Sequence, residues 1–184
     1  MEKTLEQYDR ATRACLDLFG KKARDYGTAW RILRVSSLTD QIMIKAHRVR
    51  TLQQTGVSKV GEGIRPELVG IVNYAAMGLV QLDRGVVDAP DMDAQQAIDE
   101  VQAKMRAARD LMVRKNHDYG EAWRNMRVSS LVDLILMKLL RVKQIEDNQG
   151  ETTVSEGIDA NFLDIVNYAV FALIQMDEQE SAAR

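Results

Sequence analysis

The sequence predicts an all-α protein built as a tandem repeat, two copies of one helical unit packed as a pseudo-twofold helical bundle. Three observations carry this. No stretch alternates like a half-buried strand, while Leu, Met, Ala, Gln, Glu, Lys and Arg, all good helix formers, dominate the chain. Residues 25–40, DYGTAWRILRVSSLTD, return as residues 118–133, DYGEAWRNMRVSSLVD, with twelve of sixteen positions identical at an offset of 93. A second block, EGIRPELVGIVNYA from Glu62, returns as EGIDANFLDIVNYA from Glu156 at an offset of 94, so the loop between the blocks differs by one residue.

Taken in order, the first helix is expected from about Lys3 to Lys22. Leu5, Tyr8, Thr12, Cys15, Leu16 and Phe19 fall near 3.6-residue spacing there and form one apolar stripe. Asp25-Tyr26-Gly27 reads as a break, since glycine tolerates positive φ. Thr28 to Leu33 reads as a short helix carrying Trp30. Ser37 and Asp40 have the spacing of a capping box and are expected to open the next helix, which ends before Gly56. Its copy from Leu131, LVDLILMKLLRVKQI, is apolar almost all round, as a helix at the centre of a bundle must be. After a glycine-bearing loop, Pro66 fits the first position of a helix running to about Leu82, and Asp159 is the expected N-cap of its copy. Residues 83–93 form the linker, with Asp91 or Asp93 capping the helix after it.

The second unit repeats the plan: a helix from about Asp93 to Lys115, the Asp118-Tyr119-Gly120 turn, a segment with Trp123, a helix from Ser129 to Asp147, and a last helix from about Ala160. The expected division is 1–86 and 87–184. A unit of this size cannot bury two nearly apolar helices alone, so the repeats are expected to pack as one compact domain, as if a homodimer had been fused. Further oligomerisation of this pseudo-dimer is left open.

The balance of charge excludes some functions. The net charge is −2, whereas a duplex-binding protein shows a basic surplus, so nucleic acid is not an expected partner. Cys15 is the only cysteine, which rules out an intrachain disulfide and suits a reducing compartment. The charged N-terminus lacks the apolar core of a signal peptide, and no apolar run approaches the ~18 residues that span a bilayer. No membrane association and a cytoplasmic location are therefore expected. His47 and His117 do not align between the copies, Cys15 sits on an apolar stripe, and no Walker or G-x-G-x-x-G loop occurs.

Several polar residues recur inside apolar helices. Arg31, Arg34, Lys45 and Arg48 return as Arg124, Arg127, Lys138 and Arg141, and Asn73 returns as Asn167. One reading is a network of internal ion pairs. The other is a site for an anion: these cations outnumber the acids repeated with them, and cations beside a helix N-terminus favour phosphate. Tyr26, Trp30 and Tyr74 are core residues or surfaces on which a base stacks.

The combination KNHDYGEAW (115–123), S-x-x-x-D with K-x-x-R (129–141) and E-x-I…D-x-x-NYA (156–169) resembles the nucleotide modification associated domain, type 1, a small helical family of bacteria and phages. The resemblance covers nearly the whole chain, once per half. It implies site residues Lys115, Asn116, Asp118, Tyr119, Gly120, Lys138, Arg141, Glu156, Asp164, Asn167 and Tyr168. In the first half it implies Lys22, Asp25, Tyr26, Gly27, Lys45, Arg48, Glu62, Asn73 and Tyr74. The first half departs from the pattern: Ala23 replaces the asparagine, and Gly70 stands where the second half has Asp164. The second half is therefore expected to keep the fuller site.

The resulting expectation is a nucleotide-binding or nucleotide-processing protein linked to modified-nucleotide metabolism, its partner a nucleotide or another phosphate-bearing small molecule. Lys115, Asp118, Tyr119, Trp123, Arg124, Arg127, Lys138, Arg141 and Asn167, with Lys22, Asp25, Tyr26, Arg31, Arg34, Lys45, Arg48 and Asn73, would bind it. Glu156 with Asp164 would hold Mg²⁺ or position water. Whether the protein is an enzyme is left open. The alternatives are an all-α nucleoside triphosphate pyrophosphohydrolase, whose E-x-x-E helix this chain lacks, and a non-enzymatic interaction module.

Overall fold

The computed structural model describes residues 1–57, 61 and 63–183. The helices are α1 (Glu2–Tyr26), α2 (Val35–Thr55), α3 (Ile64–Arg84), α4 (Ala94–Tyr119), α5 (Val128–Asp147) and α6 (Ile158–Ala182). Two 3-10 turns, Ala29–Ile32 and Ala122–Asn125, carry the tryptophans, and no strand occurs among the described residues.

α1 packs on α4, α2 packs on α5, and α3 with α6 lies between these pairs. The order follows from side-chain character. α3 buries Leu68, Ile71, Val72, Ala75, Ala76, Leu79 and Val80, and α6 buries Phe162, Ile165, Val166, Ala169, Val170, Leu173 and Ile174. With Glu67, Asn73, Met77 and Gln81 of α3 and Asn161, Asp164, Asn167, Phe171 and Gln175 of α6 also buried, burial runs round both helices, so each needs neighbours on every side. α6 is long and apolar enough to cross a bilayer, but 72% of its apolar window is buried inside the bundle. Gly78 lets α3 approach α6, since a Cβ there would lie 3.0 Å from the Phe162 ring.

Buried amides pin the layers. Asn73 Nδ2 donates to the Cys15 carbonyl and Asn167 Nδ2 to the Ala108 carbonyl, each at 3.0 Å. Cys15 and Ala108 are themselves 93 residues apart, so the same hook is made twice. Burial pushes the Cys15 thiol up to about 12, which suits a packing residue rather than a nucleophile. Gln81 Nε2 donates to the carbonyls of Arg31 and Leu33, and Gln175 Nε2 to those of Trp123 and Met126. Each glutamine thereby clamps one 3-10 turn. Across α2 and α5, Lys143 pairs with Asp40 and Arg50 with Asp133, the same exposed contact made in both directions.

Several local expectations are corrected. α1 and α4 run on to Tyr26 and Tyr119, so Asp25, Tyr26, Asp118 and Tyr119 are helical. Gly27 (φ 76°) and Gly120 (φ 62°) then end the helices. α2 and α5 start at Val35 and Val128 from N-caps Arg34 and Arg127, with no side-chain cap, so the serines are not caps. The chain turns helical before the S-x-x-D spacing can act, and Asp40 serves Lys143 instead. Pro66 is the third residue of α3 rather than the first, and Gly157, not Asp159, caps α6. Asp93 does cap α4, in a capping box with Gln96.

The fold departs from its symmetry at the buried asparagines. The Tyr8 hydroxyl donates to Asn167 Oδ1 at 2.7 Å. Its counterpart in α4 is the buried Val101, and Asn73 Oδ1 is buried with no partner among the described residues. Tyr8→Phe keeps the ring and orphans the second amide oxygen. It is expected to lower the unfolding free energy by about 1–3 kcal/mol in urea denaturation. An unchanged midpoint would show that this bond does not tie α1 to α6.

Candidate functional site

Two sets of matching positions have taken different forms in the two repeats. In the second repeat they close on each other. Asp164 on α6 is buried, and its Oδ1 and Oδ2 accept from Lys115 (2.6 Å, α4) and Lys138 (2.7 Å, α5). Burial pulls the pKa of the Lys115 ammonium down, and the hydrogen bond and charge of Asp164 more than offset this, holding it above the usual lysine value. Burial and the same carboxylate raise the Tyr168 phenol. Below this lock, Trp123 stacks flat on Phe171, with ring centroids 4.2 Å apart and planes 5° from parallel.

In the first repeat the same positions leave a gap. Met77 stands in place of Phe171, and Trp30 meets Phe19 edge-on at 6.2 Å. Gly70 stands in place of Asp164, and the Lys45 side chain lies over it: a Cβ at Gly70 would sit 2.8 Å from Lys45 Cε. The result is a cleft of about 580 Å³. Its walls include Phe19, Trp30, Tyr74 and Met77, and Lys22, Lys45, Glu67 and Asn73 are its polar groups. Tyr26, Leu18 and Ile32 form an exposed apolar lip. Lys45 Nζ lies 5.6 Å from the Tyr74 ring centroid, a cation–π approach.

The missing carboxylate has moved by one turn. Glu67, buried in the first turn of α3, accepts from Lys45 at 3.3 Å and from Arg48. The second repeat has Asn161 at that position. A pattern anchored on Asp164 does not look at position 67, so Glu67 is invisible to it. Met77 and Phe171 are equally silent in the sequence, where they read as interchangeable core.

The aromatic cleft thus lies in the repeat that the sequence pattern ranked lower. Of the expected residues, Lys22, Tyr26, Lys45 and Asn73 line it, and Arg48 stands behind Glu67. Asp25 and Arg34 are exposed and do not line it. In the second repeat Arg141 and Glu156, with Asn161, line a separate polar cleft of about 690 Å³ beneath the α5–α6 loop. Asp118 is exposed beside His117, and Tyr119 is exposed. Glu62 lies outside the described residues.

Folding accounts for Arg31 and Arg124, two of the recurrent cations that outnumber the acids repeated with them. Arg31 is fully buried, donating to Gln81 Oε1 and, through two nitrogens at 2.8 and 3.1 Å, to Asp91 of the linker. That hydrogen bond holds Asp91 below the usual carboxylate range. Arg124 donates to Glu121, Glu178, Thr4 and Gln7 and lies 4.5 Å over the Trp123 ring. Arg31 thus ties its 3-10 turn to the linker that leads into α4, and Arg124 ties its turn to α1 and α6. Arg34 and Arg127 remain as exposed N-cap residues with no ion pair among the described residues.

Among the described residues the lining of the first-repeat cleft includes no His, Ser or Cys, and its carboxylate is bonded to cations. The Mg²⁺ pair Glu156–Asp164 does not fit the geometry, because both Asp164 oxygens carry ammonium partners. No group of three or more His, Cys, Asp or Glu able to hold a metal occurs among the described residues.

A family model described as nucleotide modification associated domain 1 matches residues 22–82 and again residues 115–176. No curated protein and no solved structure matches the chain.

Asp164→Asn should separate lock from site. Leaving two cations against a neutral amide is expected to cost about 3 kcal/mol in chemical denaturation at neutral pH. The raised Lys115 pKa adds stability below the unfolded lysine pKa of about 10.4, lost as pH rises through the folded value. The wild type should therefore lose more stability than the variant on alkaline titration. Parallel losses would show that the Lys115–Asp164 pair does not contribute.

Proposed function

The chain belongs to the nucleotide modification associated domain 1 family and carries the domain twice; from that premise we propose that it is a nucleotide-binding protein whose site is the first-repeat cleft. The family description ties the chain to nucleotide modification. The single observation that supports a specific site is the cleft, which joins an aromatic wall to two lysines. A base stacks on Trp30 or Tyr74, and a phosphate takes Lys22 and Lys45. Stacking on an aromatic ring tolerates base modification because every base presents a π-face, and a lysine ammonium binds phosphate as a point charge. The volume falls in the ~300–1,000 Å³ range of small-molecule sites. The second repeat acts as scaffold, its positions filled by Phe171 and by the Lys115–Asp164–Lys138 lock.

Fluorescence tests this reading, because one tryptophan lines the cleft and the other is stacked away from it. With Trp123→Phe, titration of a deoxynucleotide panel is expected to quench Trp30, and Lys45→Ala to weaken binding about tenfold or more. Gly70→Asp is expected to abolish binding with the fold intact: its carboxylate displaces only the flexible end of Lys45 and rebuilds the second-repeat lock in the first. Failure of every nucleotide to quench at millimolar concentration would sink the proposal. So would a Gly70→Asp variant that binds like wild type.

A further inference from the structure

We infer that the first-repeat cleft selects a nucleoside monophosphate over more highly phosphorylated nucleotides, and that Glu67 sets this limit. The inference rests on the reading of the cleft as a nucleotide site and deepens it. The charged side chains lining the cleft are Lys22 from α1, Lys45 from α2 and Glu67 from α3, one net positive charge among the described residues. Glu67 is the most buried of the three, its side chain 8% exposed against 25% for Lys45, while the cleft it faces is open to solvent and to salt past the exposed lip of Tyr26, Leu18 and Ile32.

A phosphomonoester brings about 1.5–2 negative charges at neutral pH. Two lysines can hold it while Glu67 keeps its bond to Arg48. Each further phosphate brings another negative charge, with no further lysine or arginine among the described lining residues to meet it, and presses it against a buried carboxylate. Like charges in a partly desolvated site repel strongly. One device that holds polyphosphates, the glycine-rich G-x-x-x-x-G-K-[ST] loop, does not occur in the sequence. The second repeat shows that the position tolerates a neutral side chain, since Asn161 stands there in place of Glu67. The carboxylate at position 67 is thus a feature of the repeat with the open cleft.

The chemistry also separates a phosphomonoester from its parts. Inorganic phosphate lacks the ring that Trp30 and Tyr74 would cover, and a nucleoside lacks the anion for Lys22 and Lys45. Both should bind more weakly than the monophosphate.

Calorimetric titration of the full chain with one deoxynucleoside, its mono-, di- and triphosphates and inorganic phosphate, with and without magnesium, tests this. The monophosphate is expected to bind about tenfold or more tighter than the triphosphate, the nucleoside or phosphate alone. Glu67→Gln is expected to narrow the mono-over-tri ratio about fivefold or more by admitting the extra charge. In the wild type, raising the ionic strength should narrow the same ratio as salt screens the repulsion, a readout that does not depend on the variant folding. A triphosphate that binds as tightly as the monophosphate overturns the inference and leaves the nucleotide reading standing. A ratio that neither salt nor Glu67→Gln changes overturns the role of Glu67. Binding of no nucleotide at all overturns the nucleotide reading and this inference with it.

Discussion

Two helices without a polar face have to be enclosed, and the rest of the structure depends on that constraint. α3 and α6 bury side chains all round their circumference, so each needs cover from its own repeat and from the other one. A single unit of about 90 residues has too few helices to supply it, since small domains bury a smaller fraction of their surface. Duplication in one chain solves the problem at fixed stoichiometry. The polar groups inside the bundle serve as registers: Asn73 and Asn167 hook the outer helices to the centre, and Gln81 and Gln175 clamp the 3-10 turns. A buried amide is costly unless it is paired, so each of these groups disfavours a slipped packing.

Once the bundle is enclosed, the two repeats are free to differ where symmetry is not needed for burial. Three exchanges account for the difference at the cleft. Met77 for Phe171 removes a ring from over the tryptophan, Gly70 for Asp164 removes the ionic lock, and Glu67 for Asn161 returns a carboxylate one turn earlier. The first two open space and the third keeps the charge of the open space low. Enclosure by filling, as in the second repeat, gives stability; enclosure by an aromatic wall with unfilled volume leaves room for a ligand. One chain thus holds a filled and an open version of the same unit.

Much of the fold was legible because its signals are local. The repeat, the helix-ending Gly27 and Gly120, the Asp93 cap and the apolar helices are all encoded by residues close together in sequence. Local signals also misled: Ser37 and Asp40 have capping-box spacing, yet Asp40 pairs with Lys143 from the other repeat. The site was less legible, since a cation's role depends on partners far along the chain. Arg31 meets Asp91 of the linker, and Arg124 meets Glu178 near the end of α6. Neither partner recurs at the repeat offset, so comparing the copies counted those arginines as surplus. Ranking the two repeats from sequence was difficult for a related reason. A fuller set of charged residues makes a better internal lock as readily as a better site, and only the placement of Lys115, Lys138 and Asp164 distinguishes the two.

The central claim is that the repeats share a fold while the first alone leaves open, as an aromatic cleft, the positions that Phe171 and the Asp164 lock fill in the second. The most direct measurement is a crystal structure of the full chain grown with a saturating nucleoside monophosphate. One ligand per chain is expected, its base against Trp30 or Tyr74 and its phosphate at Lys22 and Lys45, with Asp164 still bonded to Lys115 and Lys138. A nucleotide seated instead in the second repeat, with the Asp164 lock broken to admit it, would contradict that claim.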